Sequence, residues 1–168
     1  MTVTPLVCRD LDRATASPSP GFDIRPFSPK DDHAAVAHLS AGVGTAAGPA
    51  PRSAGLMAEL RGRPGRAVAC WMAWTQTSVD AVPAAVPCGV VTLVAAHDRV
   101  GAARWSIGWL LVHPDVRRRG VARALVACAV GHARAAGAKA VWTETSARWP
   151  VAAAFWRAVG FLPARQPG

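Results

Sequence analysis

The segment Leu110-Leu111-Val112-His113-Pro114-Asp115-Val116-Arg117-Arg118-Arg119-Gly120-Val121-Ala122 constrains the fold of this 168-residue chain more than any other. An apolar run from Trp105 to Val112 ends at His113-Pro114, and proline has no N–H with which to continue a ladder. Three arginines and a glycine follow. From Arg119 to Ala136 the period becomes helical, because Val121, Leu125, Cys128 and His132 recur at spacings of three and four and Gly137 is a suitable stop. A strand running through a short turn into a helix belongs to an α/β arrangement. The first amides of a helix have no internal partner, and the helix dipole adds partial positive charge there. Gly120 and Ala122 lack bulk, so an anion can approach the backbone. The arginines add attraction and forked contacts to phosphate. The turn therefore reads as a cradle for a diphosphate.

Residues 1–21 contain Ser17-Pro18-Ser19-Pro20-Gly21 and no apolar periodicity, so they are expected to be a flexible N-terminal tail. Residues 22–168 are expected to form a single domain. Phe22 to Phe27 reads as a first strand, and Ser28-Pro29-Lys30-Asp31-Asp32 as a helix start leading to about Ser40. Residues 41–54 read as a loop, with a short helix near Leu56 to Leu60. Ala67 to Thr75 reads as a strand with Val68, Cys70 and Met72 on one face. Residues 76–87 read as a polar connector, Cys88 to Ala95 as a second strand rich in β-branched residues, and His97 to Ala102 as a turn. Trp105 to Val112 is the third long strand, with Trp105, Ile107 and Trp109 on one face. Ala138 to Thr145 reads as a strand, Pro150 to Val159 as a helix closed by Gly160, and Phe161-Leu162 as a last short strand. The order describes a mixed α/β domain around one sheet.

Composition excludes several classes. The formal net charge is +9, almost all of the positive charge being arginine, with Lys30 and Lys139 the two lysines. Charge alone is explained by a chain rich in Ala, Arg, Gly and Pro, but the cluster Arg117 to Arg119 sits at a defined backbone feature. Three arginines in one turn suit a single diphosphate better than a polymer track, and no nucleic-acid-binding motif accompanies them. Nucleic-acid binding is thus the weaker alternative. Cys8, Cys70, Cys88 and Cys128 lack zinc-type spacing and form no evident disulfide framework, so reduced thiols and no metal are expected. No apolar run approaches the ~20 residues that span a bilayer, and Met1 to Asp10 does not read as a secretory signal. A cytoplasmic location is expected, with no membrane partner.

Val112-His113-Pro114 followed in register by Arg117, Gly120 and Ala122 resembles the cofactor loop of the GNAT superfamily of acetyl-CoA-dependent N-acetyltransferases. The later run Ala152-Ala153-Ala154-Phe155-Trp156-Arg157-Ala158-Val159-Gly160-Phe161 is similar to that family's closing helix and Gly-Phe turn. The resemblance is sharp over residues 105–162 and extends by strand order over about 22–163. It implies a GNAT-like acyl-CoA N-acyltransferase fold, α/β, with a central mixed, mostly antiparallel sheet flanked by helices. It implies acetyl-CoA as cosubstrate and direct attack by an amine acceptor on the thioester. Cofactor contacts would fall to Leu111, Val112, Arg117, Arg118, Arg119, Gly120, Val121 and Ala122, with Trp149 and Trp156 near the pantetheine arm. A backbone N–H near Val112 would polarise the thioester carbonyl, and Leu111 and Val112 would bond the pantetheine amides.

The chain departs from the family at two places. Trp156 stands where the family often has the tyrosine that protonates the leaving thiolate, and the chain has no tyrosine. Trp149 stands near the family's frequent asparagine. An indole N–H donates a hydrogen bond but is no practical acid, so Ser146 or a water becomes the candidate donor. A non-catalytic acyl-CoA-binding module on the same fold is therefore the alternative.

Three groups are candidate bases. Glu144 is a carboxylate within a strand, which an exposed strand face would also explain. His113 is an imidazole at the strand end, which a plain loop position would explain. Glu59 lies in a helix where a solvated carboxylate is ordinary. The tryptophans read by default as core, with an aromatic-walled acceptor pocket as the alternative. Arg148 reads as a solvated surface residue. The acceptor site would come from residues 41–66 and 76–87, and a homodimer is compatible with the sequence.

Overall fold

The computed structural model describes residues 3–14, 21–28, 33–43, 58, 66–79, 82–97, 103–146 and 149–164. Along the chain these form β1 (Val3–Cys8), α1 (Leu11–Ala14), β2 (Asp23–Pro26), α2 (His33–Val43), β3 (Arg66–Val79), β4 (Val82–His97), β5 (Ala103–Val112), a 3₁₀ turn (Pro114–Val116), α3 (Val121–Ala135), β6 (Val141–Ser146), α4 (Pro150–Ala158) and β7 (Leu162–Pro163). The strands make one seven-stranded sheet in the order β2-β3-β4-β5-β6-β1-β7. Neighbours are antiparallel except β5 and β6. That parallel pair needs a crossover, and α3 supplies it.

Helices cover both faces of the sheet. On one face Val91, Leu93 and Ile107 pack with Val121, Leu125, Val126, Ala129 and Val130 of α3 and with Trp156, Val159 and Phe161 at the C-terminal end. On the other, Cys70, Met72, Trp74, Val90 and Leu111 pack with Ala35, Val36 and Leu39 of α2. A strand covered on both sides is apolar throughout rather than alternating, which is why Cys88 to Ala95 carries so little polarity.

Gly89 sets how closely α3 approaches the sheet. A Cβ built there would lie 2.9 Å from Leu125 Cδ1, 3.0 Å from Val121 Cγ1 and 3.2 Å from the Leu111 carbonyl oxygen. The backbone oxygen cannot swing away. Gly89→Ala is expected to cost about 1–3 kcal/mol through overpacking. A denaturant titration checks this; an unchanged midpoint would show that the first turn of α3 yields freely.

Three expectations are corrected. The first concerns residues 1–21. Residues 3–8 are a strand paired along its length with β6, Val3 facing Ser146 and Cys8 facing Val141. Leu6, Val7 and Cys8 are buried, as are Leu11 and Ala14 of α1. Pro5 disguises the strand, yet it fits. Its carbonyl accepts from Ala164 N–H at 3.0 Å, so its missing donor faces the two-residue β7 rather than β6. The portion of the expected tail over 15–20 lies outside the described residues.

The second concerns residues 76–87. Most of this stretch is strand, because β3 and β4 pair from Arg66↔Ala96 to Val79↔Val82. Pro83 and Pro87 obscured that hairpin. The third concerns the tryptophans of β5. Leu93 faces Ile107 but Val91 faces Leu110, so β5 carries one extra residue. A bulge of this kind inverts the face pattern beyond it. Trp105 packs on the α3 side, whereas Trp109 and Leu111 pack on the α2 side. The expected loop and short helix over 41–60 lie almost wholly outside the described residues, as do Glu59 and Arg148.

Candidate functional site

The turn after β5 is built from its backbone. Val116 N–H donates to the His113 carbonyl at 3.2 Å and Arg117 N–H to the Pro114 carbonyl at 3.1 Å. Val116 is buried and anchors the turn. Arg118 then takes φ +64°, and Gly120 caps α3 at φ +87° and ψ −4°. Left-handed residues alternating with ordinary ones turn successive amides to one side, which makes a concave anion-binding nest. Ala124 N–H donates to the Gly120 carbonyl at 3.0 Å, and the amides ahead of it lie before the first intrahelical acceptor. Arg117, Arg118 and Arg119 are exposed around this turn. Arg117 Nε donates to the Val112 carbonyl at 3.4 Å. The Arg119 guanidinium lies 5.4 Å from the Phe22 ring centre.

A slot opens beside this turn. β5 and β6 pair only at Trp105↔Val141 and Ser106↔Trp142, and the Thr143 hydroxyl donates to the Ile107 carbonyl at 3.4 Å. Beyond Ile107 the two strands are not paired, so the β5 edge from Gly108 to Val112 is open toward β6. Trp109 N–H donates to Thr92 Oγ1 at 2.8 Å and His113 N–H to the Cys88 carbonyl at 2.9 Å, both on β4. Main-chain groups alternate along a strand. Leu111 therefore also presents its main chain to β4, and Leu110 and Val112 present theirs to the opening. Of the two neighbours expected there, Leu111 and Val112, strand alternation leaves Val112 on the open side together with Leu110.

The remaining candidates divide by position. His113 stands at the end of β5. Its Nδ1 accepts from Asp115 N–H at 3.4 Å and lies 3.6 Å from Asp115 Oδ2. Its ring stacks on that of His38 from α2, with centres 5.6 Å apart and planes 4° from parallel. Ser146 ends β6 and is 3% exposed. Because β5 and β6 are parallel, Ser146 lies at the same end of the sheet as His113. Trp149 is 45% exposed, and its N–H donates to the Ser146 carbonyl at 2.9 Å. Glu144 is exposed and faces Pro5 of β1. Trp156 is 6% exposed and packs edge-on against Phe155 and Phe161, at 5.2 and 5.0 Å. It is a core residue, held by the periodicity of α4. Gly120, Val121 and Ala122 stand at the cap and first turn of α3. His38 gave no signal in the sequence, since a single histidine on a helix is ordinary.

Cys88 sits under the turn. Burial pushes its thiol from the ordinary 9.0 up to about 11, with Arg119 pulling the other way. A thiol whose folded pKa is raised stabilises the fold below the unfolded value, and that contribution is lost as pH rises through the folded value. Stability is therefore expected to fall between about pH 9 and pH 11, and alkylation of Cys88 at pH 8 to be slow. Peptide mapping by mass spectrometry checks this; rapid labelling of the folded chain would contradict it. Among the described residues no group of His, Cys, Asp and Glu is placed to hold a metal, and no helix is long and apolar enough to cross a membrane.

Comparisons with known proteins bear on the whole chain. A search of curated proteins finds no match. Among solved structures, a tandem GNAT protein from the clavulanic acid biosynthesis pathway superposes with TM-score 0.68 at 18% identity, covering 96% of this chain and 50% of that one. This chain thus spans half the length of that relative. The aminoglycoside N-acetyltransferase AAC(6')-Iy, solved with CoA, superposes with TM-score 0.64 at 19% identity, covering 88% of this chain and 91% of that one. An acetyltransferase of Trypanosoma brucei gives 0.57 at 19% identity, covering 88% and 96%. At these identities the superpositions show the fold alone. The model of the acetyltransferase (GNAT) family matches residues 45–161, a span holding the β5 edge, the Arg-Gly turn and the closing helix, and the chain belongs to that family.

Proposed function

We propose that the chain transfers an acetyl group from acetyl-CoA to a primary amine by direct attack. The observation that carries this reading is the nest formed by Arg118 and Gly120 at the end of an open strand edge. The diphosphate would sit on the amides from Arg118 to Ala122, with the three arginines offsetting its charge. The pantetheine amides would add to the β5 edge through Leu110 and Val112. The Leu110 N–H, pointing into the opening and farther from the turn, would polarise the thioester carbonyl where negative charge develops. Holding both reactants at one place supplies much of the gain.

The leaving thiolate needs no tyrosine in this scheme. A thiol pKa of ~8.5 makes the thiolate a competent leaving group near neutral pH. Ser146 and water at the end of β6 are the candidate donors, and Trp156 is set aside because it is buried among aromatic rings. Glu144, exposed on β6, remains a candidate base.

Calorimetry with acetyl-CoA, run beside steady-state thiol release with a panel of primary amines, tests the reading. Binding together with turnover supports it. Binding without turnover on any amine would favour a non-catalytic acyl-CoA-binding module. Salt-dependent DNA binding with no acetyl-CoA affinity would overturn both.

A further inference from the structure

The bulge in β5 is held by side chains as well as by the ladder. Leu93 faces Ile107 and Val91 faces Leu110, so Gly108 and Trp109 both stand opposite Thr92. Thr92 is fully buried, and its Oγ1 accepts from the Trp109 N–H at 2.8 Å. A valine of the same outline would offer that amide no acceptor. On the other side of β5, the buried Thr143 hydroxyl donates to the Ile107 carbonyl at 3.4 Å. Hydroxyls from both neighbouring strands thus grip β5 at the break. Thr143 ties it to β6 at Ile107, where their pairing ends. Thr92 ties the segment just beyond to β4.

That grip sets a direction. Main-chain N–H groups alternate along a strand, so holding the Trp109 N–H toward β4 turns the Leu110 N–H toward the opening. A bulge leaves its extra residue outside the regular ladder, and the Thr92 hydroxyl supplies the restraint at that place. A donor assists acyl transfer only when its direction is fixed before charge develops. Without an acceptor the Trp109 N–H would stand unpaired inside the sheet. Rotation of the segment toward another partner would carry the Leu110 N–H with it.

Resting on the acetyl-transfer reading, we propose that Thr92 is a positioning residue for the reaction, its hydroxyl holding the β5 bulge in the form that aims the Leu110 N–H at the thioester carbonyl. Charge gathers on the carbonyl oxygen as the amine nitrogen forms the C–N bond. It leaves with the electron pair on sulfur as C–S breaks, and the proton shed by the nitrogen completes the thiol. Thr92 touches neither reactant. Its effect falls on kcat and not on cofactor binding, because the arginine-bearing turn lies beyond the far end of β5.

The test binds acetyl-CoA with an isotope-labelled thioester carbonyl to the full chain and reads the carbonyl band by difference infrared spectroscopy. In the parent the band is expected below that of free acetyl-CoA, because a hydrogen bond weakens the C=O bond. Thr92→Val is expected to return the band toward the free value. It is also expected to lower kcat with the fastest amine of the panel about tenfold or more, while acetyl-CoA affinity by calorimetry stays within about twofold. Thr92→Ser, which keeps the hydroxyl, is expected to retain the parental band and kcat. A folded Thr92→Val chain with the parental band overturns the proposal, as does a Thr92→Ser chain impaired as much as Thr92→Val. Amide exchange in the parent gives a second reading that needs no variant. The Trp109 N–H is expected to be protected with and without acetyl-CoA, and the Leu110 N–H only with it. A Leu110 amide that exchanges equally fast at saturating acetyl-CoA also overturns the proposal. Absence of acetyl-CoA affinity in the parent chain would instead sink the acetyl-transfer reading itself.

Discussion

A chain carrying Arg117→Glu and Gly120→Val is expected to bind acetyl-CoA on the order of 100-fold or more weakly than the parent while remaining folded. Three effects act together. Gly120 holds φ +87° at the helix cap, a conformation that costs a side-chain-bearing residue roughly 1–2 kcal/mol and more when it is β-branched. Relief of that strain rotates the very amides that form the nest. The valine methyl groups then occupy the concave side where a phosphate oxygen must come close. Glutamate replaces attraction by repulsion toward a doubly charged group, and it removes the Arg117 Nε bond to the Val112 carbonyl. At about 1.4 kcal/mol per tenfold, a loss near 3 kcal/mol is a modest sum for these terms. Calorimetric titration measures it, with a thermal melt to show that the variant is folded. A folded variant with parental affinity would remove the turn from the binding site.

Deleting residues 1–10 is expected to abolish cooperative folding. β1 sits between β6 and β7, so its loss strips one whole ladder from β6 and detaches β7 altogether. It also uncovers the places of Leu6, Val7 and Cys8, which are at most 7% exposed. Burial of a large apolar side chain is worth about 1.5–3 kcal/mol, and a domain of this size is stable by only ~5–15 kcal/mol. The exposed β6 edge would pair with other chains. Circular dichroism during thermal unfolding, with light scattering for aggregation, reads both consequences. A truncated chain that melts sharply at the parental temperature would show that the first strand is dispensable.

The same strand shows where sequence reading reached its limit. A residue pattern reports local periodicity, and β1 is six residues long with a proline at its centre. Its place is fixed by partners more than 130 positions away, which no local window contains. The bulge in β5 failed to show for a similar reason. Only the pairing of Leu93 with Ile107 and of Val91 with Leu110 reveals the extra residue. That one residue moved Trp109 to the face opposite Trp105. Backbone conformation tied to particular residues was legible. Arg117-Arg118-Arg119-Gly120 announced a strand-to-helix turn because glycine tolerates the left-handed cap that such a turn uses. The long helix, the last helix and the order of strands from residue 22 onward were legible from period and punctuation. The contact of His38 with His113 was not, because the two are neighbours in space and not in sequence.

Titration of the parent chain with acetyl-CoA and, in parallel, with acetyl-pantetheine separates the phosphate-bearing half of the ligand from the thioester arm. If the bare amides from Arg118 to Ala122 grip the diphosphate, acetyl-CoA binds at least about 100-fold more tightly, and the difference shrinks as salt is raised. Equal affinities for the two ligands would mean that the turn entering α3 holds no phosphate.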